Sequence, residues 1–512
     1  MKLGFLFGAG AEVAYGLPSG GQFALDIFKF DTTELKANFK EMRSSVCDTT
    51  TYATEWLPDD YLSKNIGVFG SSVFQNIIKD TVEHKRDRIV SELNNLDTVA
   101  KSVVAEYKNK NVCDIDDLIK RILQQDVSNV HMGGRIGFTK EFERGNKLFN
   151  SCYFSALLLL YKKKDFLSPL QKLKLGKTIV SIIQLQVGAL GEELARKIND
   201  GLFSKKDDDI DVLDSIGEII QLNYSGVGVV GLEYLLEPDE DADTDAEIVV
   251  SFGKKVIERI YASVLDYKTL IDSNWHYLYS PRSDWAKFCK MCIFLMTVRK
   301  CIYADQKSIN KEYSYYDDLK DGIEADKLKG VVATTNYNEI IDFKLGVRVS
   351  HLNGSTNSWY DPYANKIFSC QSDTPWMEEC GNDEFHIVVP LLFTQSGTKP
   401  MTSIEMAHRY VDIYEEWKKC DRIVVVGYGF GVDDEHINGI LRTLIDDDNK
   451  QLVIVERNKN VSEEDIRKVK ARCLKVRNVK NIRVVQVSPD TRKVVNKDDK
   501  WLDVVGQKEL FE

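Results

Sequence analysis

The chain has 512 residues, enough for two or three domains, and its 43% hydrophobic residues can build a sizeable core. A formal net charge of −11 is a poor match for a binder of nucleic acid or of a membrane surface, so no direct nucleic-acid contact is expected. Ten cysteines spread over this length are no disulfide framework, and with no run of 18 apolar residues the reading is a cytoplasmic chain without a membrane span.

In chain order, Lys2–Phe7 is a short apolar run ending in Gly-Ala-Gly. It reads as a buried strand and a turn, not as a signal peptide, because the apolar run stops at Gly8 and Glu12 follows. From about Asp31 to Leu328 the pattern is largely helical, as in Cys152–Lys164 and Lys177–Ile198. Within it, Cys289 and Cys292 form a CxxC in an amphipathic helical stretch with no second pair, so they read as core thiols and no metal is expected. The runs Ser204–Asp214, which contains Asp207–Asp209, and Glu237–Asp245 read as solvated loops. Strand-like runs then follow at Gly330–Thr335, Val347–Leu352, His386–Phe393, Arg422–Val426, Gln451–Val455 and Ile482–Val487, with helices such as Ser403–Lys419 and Glu435–Ile445 between them.

Short strands alternating with helices predict an α/β fold: a doubly wound, mainly parallel, Rossmann-like sheet. Its first strand is separated from the others by roughly 300 residues. The expected organisation is one discontinuous domain over 1–30 and 328–490, a large inserted, mostly α-helical domain over 31–327, and a tail over 491–512.

Five motifs fall at the ends of these strands. Gly8-Ala9-Gly10-Ala11-Glu12, followed by Gly16-Leu17-Pro18-Ser19-Gly20, could bring backbone N–H groups to a pyrophosphate, although the GxGxxG spacing is not met and a tight turn explains it as well. Ala333-Thr334-Thr335-Asn336-Tyr337-Asn338 puts amides where open α/β sheets bind ligands, or else caps a turn. His351-Leu352-Asn353-Gly354-Ser355 is a third strand end. Gly427-Tyr428-Gly429-Phe430-Gly431-Val432-Asp433-Asp434 suits close backbone approach, with Asp433 or Asp434 as a helix N-cap. Val455-Glu456-Arg457-Asn458 offers a polar residue to a ribose, or is a plain loop. Each has a structural alternative; the order of all five along one sheet is the stronger signal.

That order, GAGAE…GLPSG, TTNYN, HLNGS and GYGFGVDD, resembles the sirtuin family, and within it most resembles the large bacterial sirtuin-like proteins of anti-phage defence. The resemblance covers about 1–30 and 328–490 and does not reach the helical region. It implies a sirtuin-like domain binding NAD+ as substrate. Gly8, Ala9, Gly10 and Glu12 would cradle the pyrophosphate, with Pro18 beside them. Asn336 would position the nicotinamide ribose and a water, flanked by Thr335, Asn338, Gly354 and Ser355. Gly427, Gly429 and Phe430 would line the adenosine side, with Asp434, Glu456 and Arg457. The activity implied is that of an NAD+ hydrolase releasing nicotinamide and ADP-ribose, which depletes NAD in an infected cell. The resemblance also implies a homo-oligomer, and a translocase-type ATPase or a phage protein as partner.

Two departures matter. Between Gly354 and Gly427 only Cys370, Cys380 and Cys420 occur, so the paired CxxC ribbon of the deacylases is absent and acyl-lysine chemistry is disfavoured. Where the family has His before Gly-Ser, this chain has Asn353, 17 positions after Asn336 as the family spacing requires. We therefore assign the catalytic slot to Asn353, with His351 two residues earlier on the same face of the strand. An amide takes no proton near neutral pH, and losing a general base typically costs about 100- to 10,000-fold in rate. Three accounts stand open: His351 substitutes, the residue was introduced to trap ligand, or the protein is an NAD or ADP-ribose sensor without turnover. His436 reads as a surface histidine in preference to one facing the adenine pocket, and His84, His131, His276, His386 and His408 show no ligand spacing.

Overall fold

The computed structural model describes residues 1–18, 20–64, 71–110, 113–131, 147–190, 228–239, 242–265, 275–307, 309, 313–324, 329–375, 385–392, 403–431, 434–457, 461–495 and 497–511. They fall into two compact units: Met1–Pro18 with Phe30–Val68 and Ile271–Glu512, and Ser19–Lys29 with Phe69–Leu270.

Among its described residues the first unit has nine strands: β1 (Lys2–Phe7), β2 (Lys329–Thr334), β3 (Ser350–His351), β4 (Ser358–Asp361), β5 (Lys366–Ser369), β6 (Val389–Pro390), β7 (Arg422–Val426), β8 (Gln451–Arg457) and β9 (Ile482–Val487). Six of them form one sheet in the order β3-β2-β1-β7-β8-β9, and every neighbouring pair is parallel. Numbered within the sheet this is 3-2-1-4-5-6, the doubly wound Rossmann-like order whose direction reverses between β1 and β7.

Alternation along each strand sends residues to two cores. Phe5, Phe7, Val424, Val426 and Val453 pack with Tyr316, Leu319, Ile341, Trp501 and Val505 on one face. Leu6, Val425, Leu452 and Ile454 pack with Trp417, Ile437, Leu441 and Leu474 on the other. Because both faces are covered, these strands are near-continuous apolar runs, which is what made them readable.

Four expectations change in this unit. The run His386–Phe393 does not join the parallel sheet; its described part contributes β6 to a separate antiparallel sheet, β5-β4-β6, where Trp359 pairs with Pro390. The β4–β5 hairpin of that sheet is closed by Asp361, whose Oδ1 accepts from the N–H groups of Tyr363 and Ala364, and by Asn365 at φ 54°. The run Val347–Leu352 shortens to the two-residue edge strand β3. Residues 31–68 and 271–327, expected in the insertion, belong to the sheet-bearing unit: the Arg299 guanidinium, 2% exposed, donates to Thr356 O at 2.6 Å, and Ile387 N donates to Tyr52 Oη at 2.9 Å. The segment 491–512, expected as a tail, belongs to this unit: Trp501, Val504 and Val505 are buried and the Trp501 indole donates to Asp318 at 2.9 Å.

The second unit is helical in its described residues, from Gly20–Lys29 and Ser71–His84 through to Asp245–Val264. The helix Pro169–Leu190 replaces the expected Lys177–Ile198, of which 191–198 lie outside the described residues. By length and hydropathy this helix could cross a membrane, but 78% of its apolar window is buried. The acidic run ends in a capping box: Thr244 Oγ1 accepts from Glu247 N, and the Glu247 carboxylate accepts from Thr244 N at 2.9 Å. The run Ser204–Asp214 lies outside the described residues. Cys289 and Cys292, in the first unit, sit buried on the helix Trp285–Lys307, where burial pushes the Cys289 thiol up to about 12.

Candidate functional site at the carboxyl ends of the parallel strands

The sheet register sets the site. Phe7 lies level with Thr334 and Val426, Thr334 with His351, and Val426 with Val455. All five motifs therefore begin at one height, on the edge where open parallel sheets bind ligands.

At the reversal point the loops after β1 and β7 touch. Gly8 N donates to Val426 O and Gly10 N to Gly427 O, both at 2.9 Å, while Ala11 N and Glu12 N close short turns on Gly8 O and Ala9 O. Gly427 has φ 68°, and a Cβ on it would lie 2.1 Å from Ala11 N. The glycines here are required by loop-on-loop packing. The N–H groups of Gly8, Gly10, Ala11 and Glu12 are thus engaged inside the fold, which differs from the pyrophosphate cradle expected of them. Ala9 is exposed and Pro18 half-buried beside this turn.

Below the TTNYN loop lies a saturated polar cluster. Glu12, 2% exposed, accepts from the Tyr316 hydroxyl at 2.7 Å and from Asn338 Nδ2 at 2.6 Å. Asn336 Nδ2 donates to the Tyr316 oxygen at 3.3 Å. Burial pushes the Glu12 carboxyl above the usual carboxylate range, and the hydrogen bonds from Asn338 and Tyr316 pull it part of the way back. Burial, with Glu12 alongside, also pushes the Tyr316 phenol well up. Asn338 Oδ1 accepts from Ile340 N at 3.1 Å and so starts the helix Ile340–Leu345. Thr335 N continues the ladder to Phe7 O at 2.9 Å. Tyr316 was not singled out from the sequence; the clue was an aromatic-acidic run, Tyr313-Ser314-Tyr315-Tyr316-Asp317-Asp318, just before β2.

The two candidates of the HLNGS motif part company. His351 Nδ1 meets Asn336 O at 2.9 Å and its Nε2 meets Asp342 Oδ2 at 2.7 Å, so both ring nitrogens face acceptors. Asn353, 3% exposed, donates from Nδ2 to Thr335 O at 3.3 Å, and its Oδ1 lies 3.3 Å from His436 Nε2. His436 packs edge-on against Tyr410 at 5.4 Å, and the Tyr410 hydroxyl donates to Leu352 O at 2.9 Å. The histidine read as a surface residue is therefore half-buried beside Asn353. Gly354 turns at φ 84°, where a Cβ would lie 2.0 Å from Leu391 O. Ser355 Oγ is 3.0 Å from Ser358 Oγ and donates to Glu339 at 3.4 Å.

On the β7–β8 side, Phe430 is 2% exposed at φ 57°, a strained conformation for a bulky residue, and its ring lies tilted against Tyr428 at 4.9 Å. Lys470 Nζ sits 4.9 Å over the Phe430 ring and 3.4 Å from Glu456, so an acid offered to a ribose is already paired. Arg457 ends β8, half-buried. Asp434 occupies the N-cap position of Glu435–Asp446, yet its side chain makes no cap hydrogen bond; Asp433 lies outside the described residues. Gly429 is exposed, and a Cβ there would meet nothing within 4 Å.

A cavity of about 1060 Å³ flanks this edge on the β3 side, between β2, β3 and the helices Ile340–Leu345 and Ile404–Lys418. Of the expected site residues it contains His351 and Ser355, with Glu339, Asp342, Arg348 and Arg409 around them. No protein-family model and no curated protein matches the chain.

Proposed function

We propose that the chain is an NAD+ hydrolase that releases nicotinamide and ADP-ribose, acting as an effector of anti-phage defence through NAD depletion. The observation that carries this reading is the register: TTNYN, HLNGS and GYGFG start level with one another on a parallel sheet of Rossmann-like order. Polar amides there, Asn336 and Asn353, suit ribose hydroxyls and a water better than they suit redox chemistry. Cleavage breaks the bond between C1′ and the nicotinamide nitrogen, nicotinamide leaves with the bonding electrons, and water adds to C1′. Such a step depends largely on positioning and on charge stabilisation. Gly429, open above its Cα, suits close approach of the adenosine half. A homo-oligomer, and a translocase-type ATPase or phage protein as trigger, belong to the same reading.

A second reading, a nucleotide sensor without turnover, is favoured by Asn353 in the catalytic slot and by the double engagement of His351. Nicotinamide release from NAD+ by the purified chain decides between them. The hydrolase reading expects release that Asn336→Ala abolishes. Binding of NAD+ without release, with turnover appearing only in Asn353→His, gives the sensor reading its case.

A further inference from the structure

The cavity on the β3 side has its origin in the sheet register. β2 pairs with β3 only at Ala333–Ser350 and Thr334–His351. Continued in that register, Val347–Val349 would stand opposite Gly330–Val332. Among the described residues no strand pairs with Gly330–Val332 on this side, and both segments line the cavity instead. The two segments part like a fork, and the volume of about 1060 Å³ opens between them. Ligands well beyond the size of an inorganic anion occupy pockets of roughly 300–1,000 Å³.

Charge in the fork is unevenly matched. Four carboxylates line it, and three are engaged. Asp342 accepts from Val349 N at 2.8 Å and meets His351 Nε2 at 2.7 Å. Glu416 pairs with Lys2 and Lys419. Glu339 accepts from the Ser355 hydroxyl and the Asn357 amide, and burial raises its affinity for a proton. The fourth, Asp412, is exposed. The two arginines of the fork meet only neutral acceptors among the described residues: Arg409 Nη1 donates to His351 O at 2.7 Å, and Arg348 Nη2 to Ser369 Oγ at 3.2 Å. Burial, with Arg348 nearby, holds the half-buried Arg409 guanidinium below its usual value. A guanidinium stays charged at neutral pH, so two like charges share this wall, and an anion between them relieves the repulsion. A phosphate dianion balances both charges and offers three acceptor oxygens to the planar donor forks. Phe343 lines the same cavity and is 71% exposed, an aromatic face open to a flat ring.

We propose that this cavity binds a small phosphate monoester that carries a flat ring, such as a nucleoside monophosphate, with Arg348 and Arg409 on the phosphate and Phe343 against the ring. The site is separate from the one read for NAD+, with which it shares only His351 and Ser355, and it does not depend on that reading.

The test is calorimetric titration of the full-length chain with AMP, adenosine and inorganic phosphate, as wild type, Arg348→Gln and Phe343→Ala. AMP is expected to bind with Kd below about 1 mM, and adenosine at least about tenfold more weakly. Arg348 is exposed and its one described hydrogen bond goes to Ser369, so Arg348→Gln should leave the fold intact and weaken AMP by at least about tenfold. Phe343→Ala should weaken AMP by about fivefold or more and leave inorganic phosphate within about twofold. Saturating NAD+ should leave the AMP affinity within about threefold, because the two occupy different sites. The proposal is overturned if AMP fails to bind, if Arg348→Gln or Phe343→Ala binds AMP as the wild type does, or if NAD+ displaces AMP. If NAD+ does not bind at all while AMP binding still depends on Arg348, the NAD+ reading falls and the fork site stands.

Discussion

The carboxyl edge of the sheet has two halves built on opposite plans. Under TTNYN, the Glu12–Tyr316–Asn336–Asn338 cluster is buried and each of its members is hydrogen-bonded to another. Along GYGFG the surface opens at Gly429, which is exposed, and His436 is half-buried, whereas Phe430 and Asn353 are buried. The first half is tied together by its own hydrogen bonds, and the second leaves Gly429 and part of His436 accessible. A ligand-binding amide needs both, because a fixed backbone costs little ordering at the moment of binding whereas an accessible group is what the ligand meets.

Substitutions that break this contrast should differ in size. The largest stability loss is expected for Gly427→Ala, which forces a Cβ against Ala11 N at φ 68°. It should cost on the order of 3 kcal/mol or more in chemical denaturation, and a loss under about 1 kcal/mol would show that the two loops yield. Tyr316→Phe removes a buried donor to Glu12 and a partner of Asn336. Its expected cost is about 1–3 kcal/mol. Nicotinamide release should fall through kcat, and an unchanged kcat would separate Tyr316 from the orientation of Asn336.

Next comes a pH effect. Glu12 has its folded-state affinity for a proton raised by burial, so over the interval between its ordinary and its raised value the folded chain holds the extra proton. Its contribution to stability is therefore fully present below that interval and declines as pH rises through it. Glu12→Gln should flatten that part of the stability–pH curve; an unaltered slope would assign the dependence to another group. The smallest effect on folding is expected for Gly429→Ala, whose added methyl meets open space. Its melting behaviour should match wild type within about 0.5 kcal/mol, while NAD+ affinity drops if the ligand passes close to this backbone. Unchanged affinity would move the adenosine half elsewhere.

Much of the sheet was legible because central parallel strands are buried on both faces. The runs at β1, β7 and β9 coincide with their strands: Phe5 and Val424 sit in apolar stretches, and in β9 the apolar residues Ile482, Val484, Val485 and Val487 outweigh Arg483 and Gln486. The short edge strand and the antiparallel β6 were less legible: a run of a few apolar residues does not say which sheet it will join. The glycines of the first motif were legible as a turn, but their partner was not, because Gly10 is required by the approach of Gly427 from the far end of the chain.

The amino-acid sequence by itself determined the α/β class, the parallel sheet and the residues that gather at its carboxyl edge, because periodicity and glycine placement act over a few residues. Only the tertiary structure decided what those residues face. It closed the β1 turn on the β7 loop, set Tyr316 between Glu12 and Asn336, locked His351 to Asp342 and carried His436 to Asn353. Hydrogen-bond partners in these clusters come from strands and helices up to hundreds of positions apart, and no local pattern encodes the meeting of such groups.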